Sequence, residues 1–228
     1  KDDGSCTEPG YASTPSNPQP QPQDADAVMI GLQAVTYTEY VGFLTEIPVG
    51  LPIALFKDGL SFKNVGEVTC EGESLELQSN NSYIYMPSGT DLGVTFSGGI
   101  EWTVEGGNGF PAHTKSSSGI FPQNLALTVT NGDAIDISGA FTLETTSSIT
   151  SADSVYFGVY GPSNAVISVQ PGSISSHTFT SAEMKSVGAG GGFVQVAAYR
   201  VAEIETLGTG EVIYYLNEKV NTTAVTFE

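Results

Sequence analysis

One stretch constrains this chain more than any other: Ile100-Glu101-Trp102-Thr103-Val104-Glu105-Gly106-Gly107-Asn108-Gly109-Phe110-Pro111-Ala112-His113. Ile100, Trp102 and Val104 alternate with Glu101, Thr103 and Glu105, a period of two that gives a strand one apolar and one wet face. Gly-Gly-Asn-Gly then breaks the strand, and Phe-Pro prevents its resumption. Trp102, the only tryptophan, reads as the plug of a first β-core. The glycine run reads as a hinge to a second.

The same grammar recurs on both sides. Before residue 114, short apolar runs at 28–37, 47–56, 65–69, 75–78, 83–86 and 92–96 are separated by Lys57-Asp58-Gly59, Gly72, Asn80-Asn81 and Gly89. Pro48 and Pro52 place the second run at an edge or a bend, because proline cannot donate to a ladder. After residue 120, Leu125 to Thr130 ends in Asn131-Gly132, a strong turn signal. Runs at 135–143, 154–160, 165–169, 177–180, 193–199, 212–216 and 224–227 follow. Phe193 to Tyr199 is nearly continuous in apolar residues, as a central buried strand would be. Thr180 followed by Glu183 is a capping pair for one short helical turn. Many short strands with turn chemistry between them predict an all-β chain with two tandem sandwiches, immunoglobulin- or fibronectin-like in plan. The predicted divisions are a tether at 1–26, a first sandwich at 27–114 and a second at 115–228. Within the tether, Pro15, Pro18, Pro20 and Pro22 alternate with polar residues and give an extended arm with nothing to bury.

Charge bears on partners. Twenty-five acidic residues against seven basic ones leave a net charge of −18. Such a surface repels phosphate backbones and anionic bilayers, so nucleic acid is excluded as a partner. A divalent cation, most plausibly Ca²⁺, is compatible with it. No Asp-x-Asp-x-Asp-Gly loop is present, and pairs such as Asp24/Asp26 are too sparse to nominate a site. The two cysteines, Cys6 and Cys70, allow one disulfide tying the arm to the first domain. No apolar run approaches the roughly 20 residues of a membrane-spanning helix.

Two resemblances add to this. Lys1-Asp2-Asp3 at the head of a Ser/Pro-rich tether resembles the start of mature Bacteroidetes lipoproteins, in which a lipidated cysteine precedes such residues. That resemblance implies processing ahead of Lys1, a membrane attachment only through a lipid on the preceding cysteine, and export to the outer leaflet of the outer membrane. The series 151–155, 178–184, 194–199 and 214–220, with Asn80-Asn81-Ser82-Tyr83 and Trp102 to Gly106, resembles a group of uncharacterised secreted Bacteroidetes proteins. It implies a sandwich fold and a cell-surface setting, and no catalytic residues.

No motif discloses a reaction. There is no Gly-x-Ser-x-Gly elbow. Gly188 to Gly192 lacks the Lys-Ser/Thr and the following helix of a phosphate-binding loop, and reads as a flexible loop. His113, in an expected linker, and His177, on an alternating strand, read as structural residues rather than as a base or ligands. Tyr83/Tyr85 and Tyr214/Tyr215 are candidate platforms for sugar rings, with core packing as the competing reading. Asp153-Ser154-Val155 resembles the Bacteroidetes O-glycosylation acceptor and nominates Ser154, with turn-to-strand chemistry as the alternative. The expectation is a non-enzymatic surface lipoprotein that binds other surface or outer-membrane proteins as an accessory subunit. The alternative is a glycan-binding or adhesion module, Ca²⁺-dependent in one version. A hydrolase stands third and requires converging acid, base and nucleophile.

Overall fold

The computed structural model describes residues 25–40 and 43–228. Cys6, the Lys1-Asp2-Asp3 signal and most of the expected tether lie outside them. The described fold begins at Ala25, which is buried, and at Asp26, whose carboxylate accepts from Val212 N at 2.8 Å. Both residues therefore belong to the folded body, where the sequence alone places them in the tether.

The described chain is all-β apart from one helix. β1 (Ala27–Tyr40), β2 (Phe43–Gly50), β3 (Ile53–Asp58) and β4 (Ser61–Phe62) open it. β5 (Val68–Cys70), β6 (Glu73–Ser74), β7 (Glu76–Leu77), β8 (Tyr83–Ile84), β9 (Gly99–Val104) and β10 (His113–Ser118) follow. Then come β11 (Ala134–Ile135), β12 (Phe141–Glu144), β13 (Ser154–Tyr160), β14 (Ala165–Pro171) and β15 (Ser176–Phe179). The helix α1 (Ser181–Val187) precedes two long strands, β16 (Gly190–Thr206) and β17 (Val212–Phe227). Thr180 caps α1 as its spacing to Glu183 predicts: Glu183 N donates to the Thr180 hydroxyl at 3.3 Å, and Thr180 N donates back to the Glu183 carboxylate at 2.7 Å.

One large sheet organises the molecule, in the order β14-β13-β16-β17-β1-β3-β8-β7. A four-stranded sheet, β10-β9-β5-β6, and a two-stranded one, β12-β15, complete the set. The first core lies between the large sheet and the four-stranded sheet. Met29, Phe56, Tyr83 and Tyr215 meet Ile100, Trp102 and Val104 there, so Trp102 is the plug its alternation predicts. The second core sets Phe157, Val196 and Phe227 against Leu143 and Phe179, with Met184 and Val187 of α1. Each fully buried large side chain contributes on the order of 2–3 kcal/mol. Both bodies are therefore layered β-structures, as expected.

The two bodies share the large sheet. On β17, Ile213 and Tyr215 belong to the first core and Val225 and Phe227 to the second. All four are odd-numbered, so both cores lie on one face of that sheet. β17, 16 residues long, spans roughly 50 Å at about 3.3 Å per residue. The first core thus draws on residues 213 and 215 as well as on the expected 27–114 segment. Parallel pairing of β1 with β17, from Ala27↔Ile213 to Val35↔Asn221, makes this possible.

The glycine run is a hairpin, not a hinge. Gly107 and Phe110 exchange both backbone hydrogen bonds at 2.9 Å, and β10 returns antiparallel along β9 with His113 opposite Val104. Asn108 sits at φ 48° and Gly106 at φ 91°. A Cβ on Gly106 would stand 2.5 Å from Ala112 N. Phe110 folds back onto Phe56, edge to face at 4.8 Å, and that burial reverses the chain. The passage between the cores comes later, around residues 119–124, and is fastened from β17. Asn217 donates to Ser118 O at 2.6 Å and to Ile120 O at 2.9 Å, and Asn221 donates to Leu125 O at 2.8 Å.

Candidate functional site

The residues nominated by the sequence divide between the cores. Tyr83 is buried, accepts from Val65 N at 2.7 Å and lies 2.8 Å from Gly66 O. Tyr215 is wholly buried and Tyr214 nearly so. Tyr85 is half-buried and donates to the Asp91 carboxylate at 2.8 Å. These four rings are therefore dispersed through the packing and form no shared platform. Cys70 is a buried free thiol, pushed up by burial and by the Glu71 carboxylate beside it; Cys6 lies outside the described residues. Ser154 is half-buried at the head of β13, between Tyr199 and Pro171 on its two neighbours. Asp153 before it accepts from Val201 N at 2.8 Å. Among the described residues, no group of three or more His, Cys, Asp or Glu side chains is placed to hold a metal ion.

The histidines do structural work of different kinds. His177, on β15, packs edge to face on Phe179 at 4.8 Å, and burial lowers its pKa. His113 opens β10 rather than a linker. Its Nε2 lies 2.9 Å from the Tyr215 hydroxyl and 3.3 Å from Glu205. Lys115, two residues on, pairs with Glu203 at 2.6 Å and is held above the usual lysine range by it. Sequence reasoning missed this cluster because a β-bulge creates it. The β16–β17 register slips between Val201 and Glu203, leaving Ala202 unpaired. Without that extra residue, Glu203 and Glu205 would continue the outward phase of Tyr199 and Val201. With it they turn to the core side and meet β10. Tyr215 is fully buried, and through it the partly exposed His113, Lys115, Glu203 and Glu205 tie two layers together.

The opposite, outer face of the large sheet is the better candidate. Strand alternation and register assign it Tyr156 and Tyr160 from β13, Phe193 and Tyr199 from β16, Leu216 and Glu218 from β17, and Val28 and Ile30 from β1. At its margin lies β14, an edge strand with Ile167 52% and Val169 55% exposed. Phe193 is 36% exposed beside Tyr160, their rings stacked at 4.5 Å.

Toward the other end, this face sinks into a groove of about 340 Å³. β1 lines it with Val28 and Ile30, β3 with Leu55 and Lys57, and Phe62 closes one side. Tyr156, Tyr199, Leu216 and Glu218 complete the wall. Tyr156 and Tyr199 lie with ring centroids 5.8 Å apart and planes tilted by 35°. Glu218 stands directly opposite Tyr199 on one side and Leu32 on the other. Burial pushes its carboxyl up to about 7, and burial is the whole cause. The same surroundings push the Tyr156 hydroxyl up to about 12, with Tyr199 and Glu218 adding to the effect. A second cavity, about 410 Å³, is lined by Glu71, Glu73, Tyr85, Asp91 and residues 93–95. It is acidic and polar where the first is apolar.

No protein-family model matches this chain, and no curated protein matches it in sequence. Among solved structures it is similar to immunoglobulin domains 1–4 of Sidekick-1, at 11% identity and a TM-score of 0.24, over 96% of this chain and 73% of that one. A score of that size does not establish a shared fold, so the architecture rests on the strand order and register themselves.

Proposed function

We infer that this chain is a non-catalytic binding module at a bacterial cell surface, where it docks a neighbouring surface or outer-membrane protein as an accessory subunit. The carrying observation is the edge strand β14. Ala165-Val166-Ile167-Ser168-Val169-Gln170-Pro171 holds no charged side chain in a chain of net charge −18, and it presents Ile167 and Val169 to solvent at an open edge of the large sheet. Edge strands are ordinarily blunted by charge, and an uncharged apolar one suits pairing with an extended segment of a partner. Attachment through a lipid on a cysteine preceding Lys1 is part of the same reading, supported by the resemblance of Lys1-Asp2-Asp3 and the tether to surface lipoproteins.

The test is photo-crosslinking from position 167 in cells, with Leu60, fully exposed elsewhere, as the control position. A single surface or outer-membrane protein crosslinked from 167 and not from 60, and released by Val169→Lys with the thermal midpoint unchanged, is the expected result. Native mass spectrometry of material from solubilised envelopes that finds this chain alone, with no crosslinked partner, would sink the subunit reading. Of the tyrosines nominated for the glycan alternative, Tyr83, Tyr214 and Tyr215 are occupied in packing, and Tyr85 stays partly exposed.

A further inference from the structure

We propose that one end of the outer face is a binding site for a neutral sugar ring: a pyranose stacked on Phe193 and Tyr160, with its hydroxyls held at Tyr160 and Thr222. None of the tyrosines nominated from the sequence takes part, and the site does not depend on the docking reading.

Two rows of the sheet build it. Ala165, Tyr160, Phe193 and Ala224 lie side by side across β14, β13, β16 and β17. Ile167, Gly158, Gln195 and Thr222 form the next row on the same face. Gly158 shapes the surface. A Cβ there would stand 2.5 Å from Cε2 of Tyr160 and 2.9 Å from its hydroxyl, so the Tyr160 ring takes the space above the glycine backbone. Phe193 stacks on that ring, centroids 4.5 Å apart and planes 16° apart. Two rings already held in near-parallel planes give up little further freedom when a flat ligand lands on them. Phe193 stays 36% exposed, so the pair keeps an open apolar surface.

The polar part runs along the second row. The Tyr160 hydroxyl donates to Gln195 Oε1 at 3.4 Å, and Gln195 Nε2 donates to the exposed Thr222 hydroxyl at 3.0 Å. Valence sets what the two ends can still do. The Tyr160 oxygen has lone pairs with which to accept, and the Thr222 hydroxyl has its own proton to donate. A sugar hydroxyl both donates and accepts, so neighbouring hydroxyls of one ring can meet both ends. The axial C–H bonds of a pyranose present a weakly positive apolar face to the negative face of an aromatic ring. Charge argues for a neutral ligand. No residue of the two rows is ionised at neutral pH, in a chain of net charge −18. Glu218 stands opposite Tyr199, six residues along β16 from Phe193, or roughly 20 Å at about 3.3 Å per residue. An anion gains no cation here and meets an acidic molecule. A bare hydrocarbon would cover the Thr222 hydroxyl without pairing it.

The experiment is an amide chemical-shift titration of the full chain with methyl β-D-glucopyranoside, methyl β-D-galactopyranoside and methyl α-D-mannopyranoside. D-glucitol serves as an open-chain polyol and cyclohexanol as a plain apolar ring. At least one pyranoside is expected to saturate with a Kd on the order of 1–10 mM, with shifts confined to residues around 158–160, 193–195 and 222–224. D-glucitol and cyclohexanol should bind more weakly than that sugar. Thr222→Val, which keeps the shape of an exposed side chain, should weaken the sugar by about three- to tenfold, the worth of one hydrogen bond. Phe193→Ala should abolish saturation. No saturable shift with any of the pyranosides up to about 100 mM would overturn the proposal. So would D-glucitol or cyclohexanol binding as tightly as the sugar, or a sugar affinity unchanged in Thr222→Val, because an unspecific apolar patch gives those results. The titration needs no partner protein, so its failure leaves the docking reading untouched, and a failed crosslink from position 167 leaves this site untouched.

Discussion

At Gly192 a single added methyl group decides whether β16 can close on its neighbours. A Cβ there would stand 2.3 Å from Tyr160 O and 2.6 Å from the Phe227 ring, whereas a Cβ on Gly191 would meet nothing within 4 Å. Gly192→Ala is expected to lower stability by about 1–3 kcal/mol through overpacking. Gly191→Ala, one residue away, should be neutral or slightly stabilising. Urea unfolding of the pair measures both, and equal midpoints would contradict that packing. The glycine run at 188–192, which reads as a flexible loop in the sequence, is thus the packed entry to a strand. A second prediction concerns Glu218. Its carboxyl ionises near 7 in the native state against an ordinary value of 4.5. Between those pH values the native chain holds a proton that the unfolded chain has released, so stability falls as pH rises from about 4.5 to about 7 and then levels. Glu218→Gln should remove that slope. A variant with the same decline as the parent in thermal midpoints across roughly pH 4.5 to 7.5 would show that another group carries it.

At the scale of the element, β17 carries information on both faces. Inward, Asn217, Lys219 and Asn221 alternate as buried polar residues, 1%, 2% and 5% exposed, where an ordinary sandwich strand would place apolar ones. They serve the segment between the cores. Lys219 pairs with Glu46 at 2.7 Å, and Glu46 accepts from the Tyr37 hydroxyl at 2.7 Å, which joins β1, β2 and β17. Lys219→Ala is expected to cost about 2–3 kcal/mol, because it leaves Glu46 without its cation in a half-buried place. Lys219→Met, which keeps the apolar stem, should recover part of that loss. Chemical denaturation of the two variants checks the order, and an alanine variant as stable as the parent would refute it. The bulge at Ala202 belongs to the same scale. One unpaired residue turns Glu203 and Glu205 inward to Lys115 and His113.

For the whole molecule, the shared sheet has a direct consequence for folding. The first core includes Phe121, Ile213 and Tyr215, which a fragment ending at residue 118 lacks. The fragment 25–118 is therefore expected to stay unfolded, with Trp102 emission at the solvent-exposed wavelength. The complete chain should unfold in one step, with Trp102 fluorescence and far-ultraviolet circular dichroism giving coincident curves. A cooperative melt of the fragment, or two separated transitions in the whole chain, would show that the cores are independent.

Local chemistry settled which residues form many of the strands, although the expected runs at 92–96 and 125–130 form none. Period-two alternation at 100–104, the Asn131-Gly132 turn, the Thr180–Glu183 cap and the burial of Trp102 were all readable because each depends on neighbours within a few positions. So was the all-β character, which follows from many short alternating runs. The tertiary structure alone decided that Phe110 would fold back, that β1 would pair with a strand nearly 190 residues later, and that a bulge would bring His113 to Glu205. It also decided that Tyr156, Tyr199 and Glu218 would meet in one groove. Those outcomes depend on register and long-range pairing, and alternation along a strand says which residues share a face without saying which strand will lie beside it.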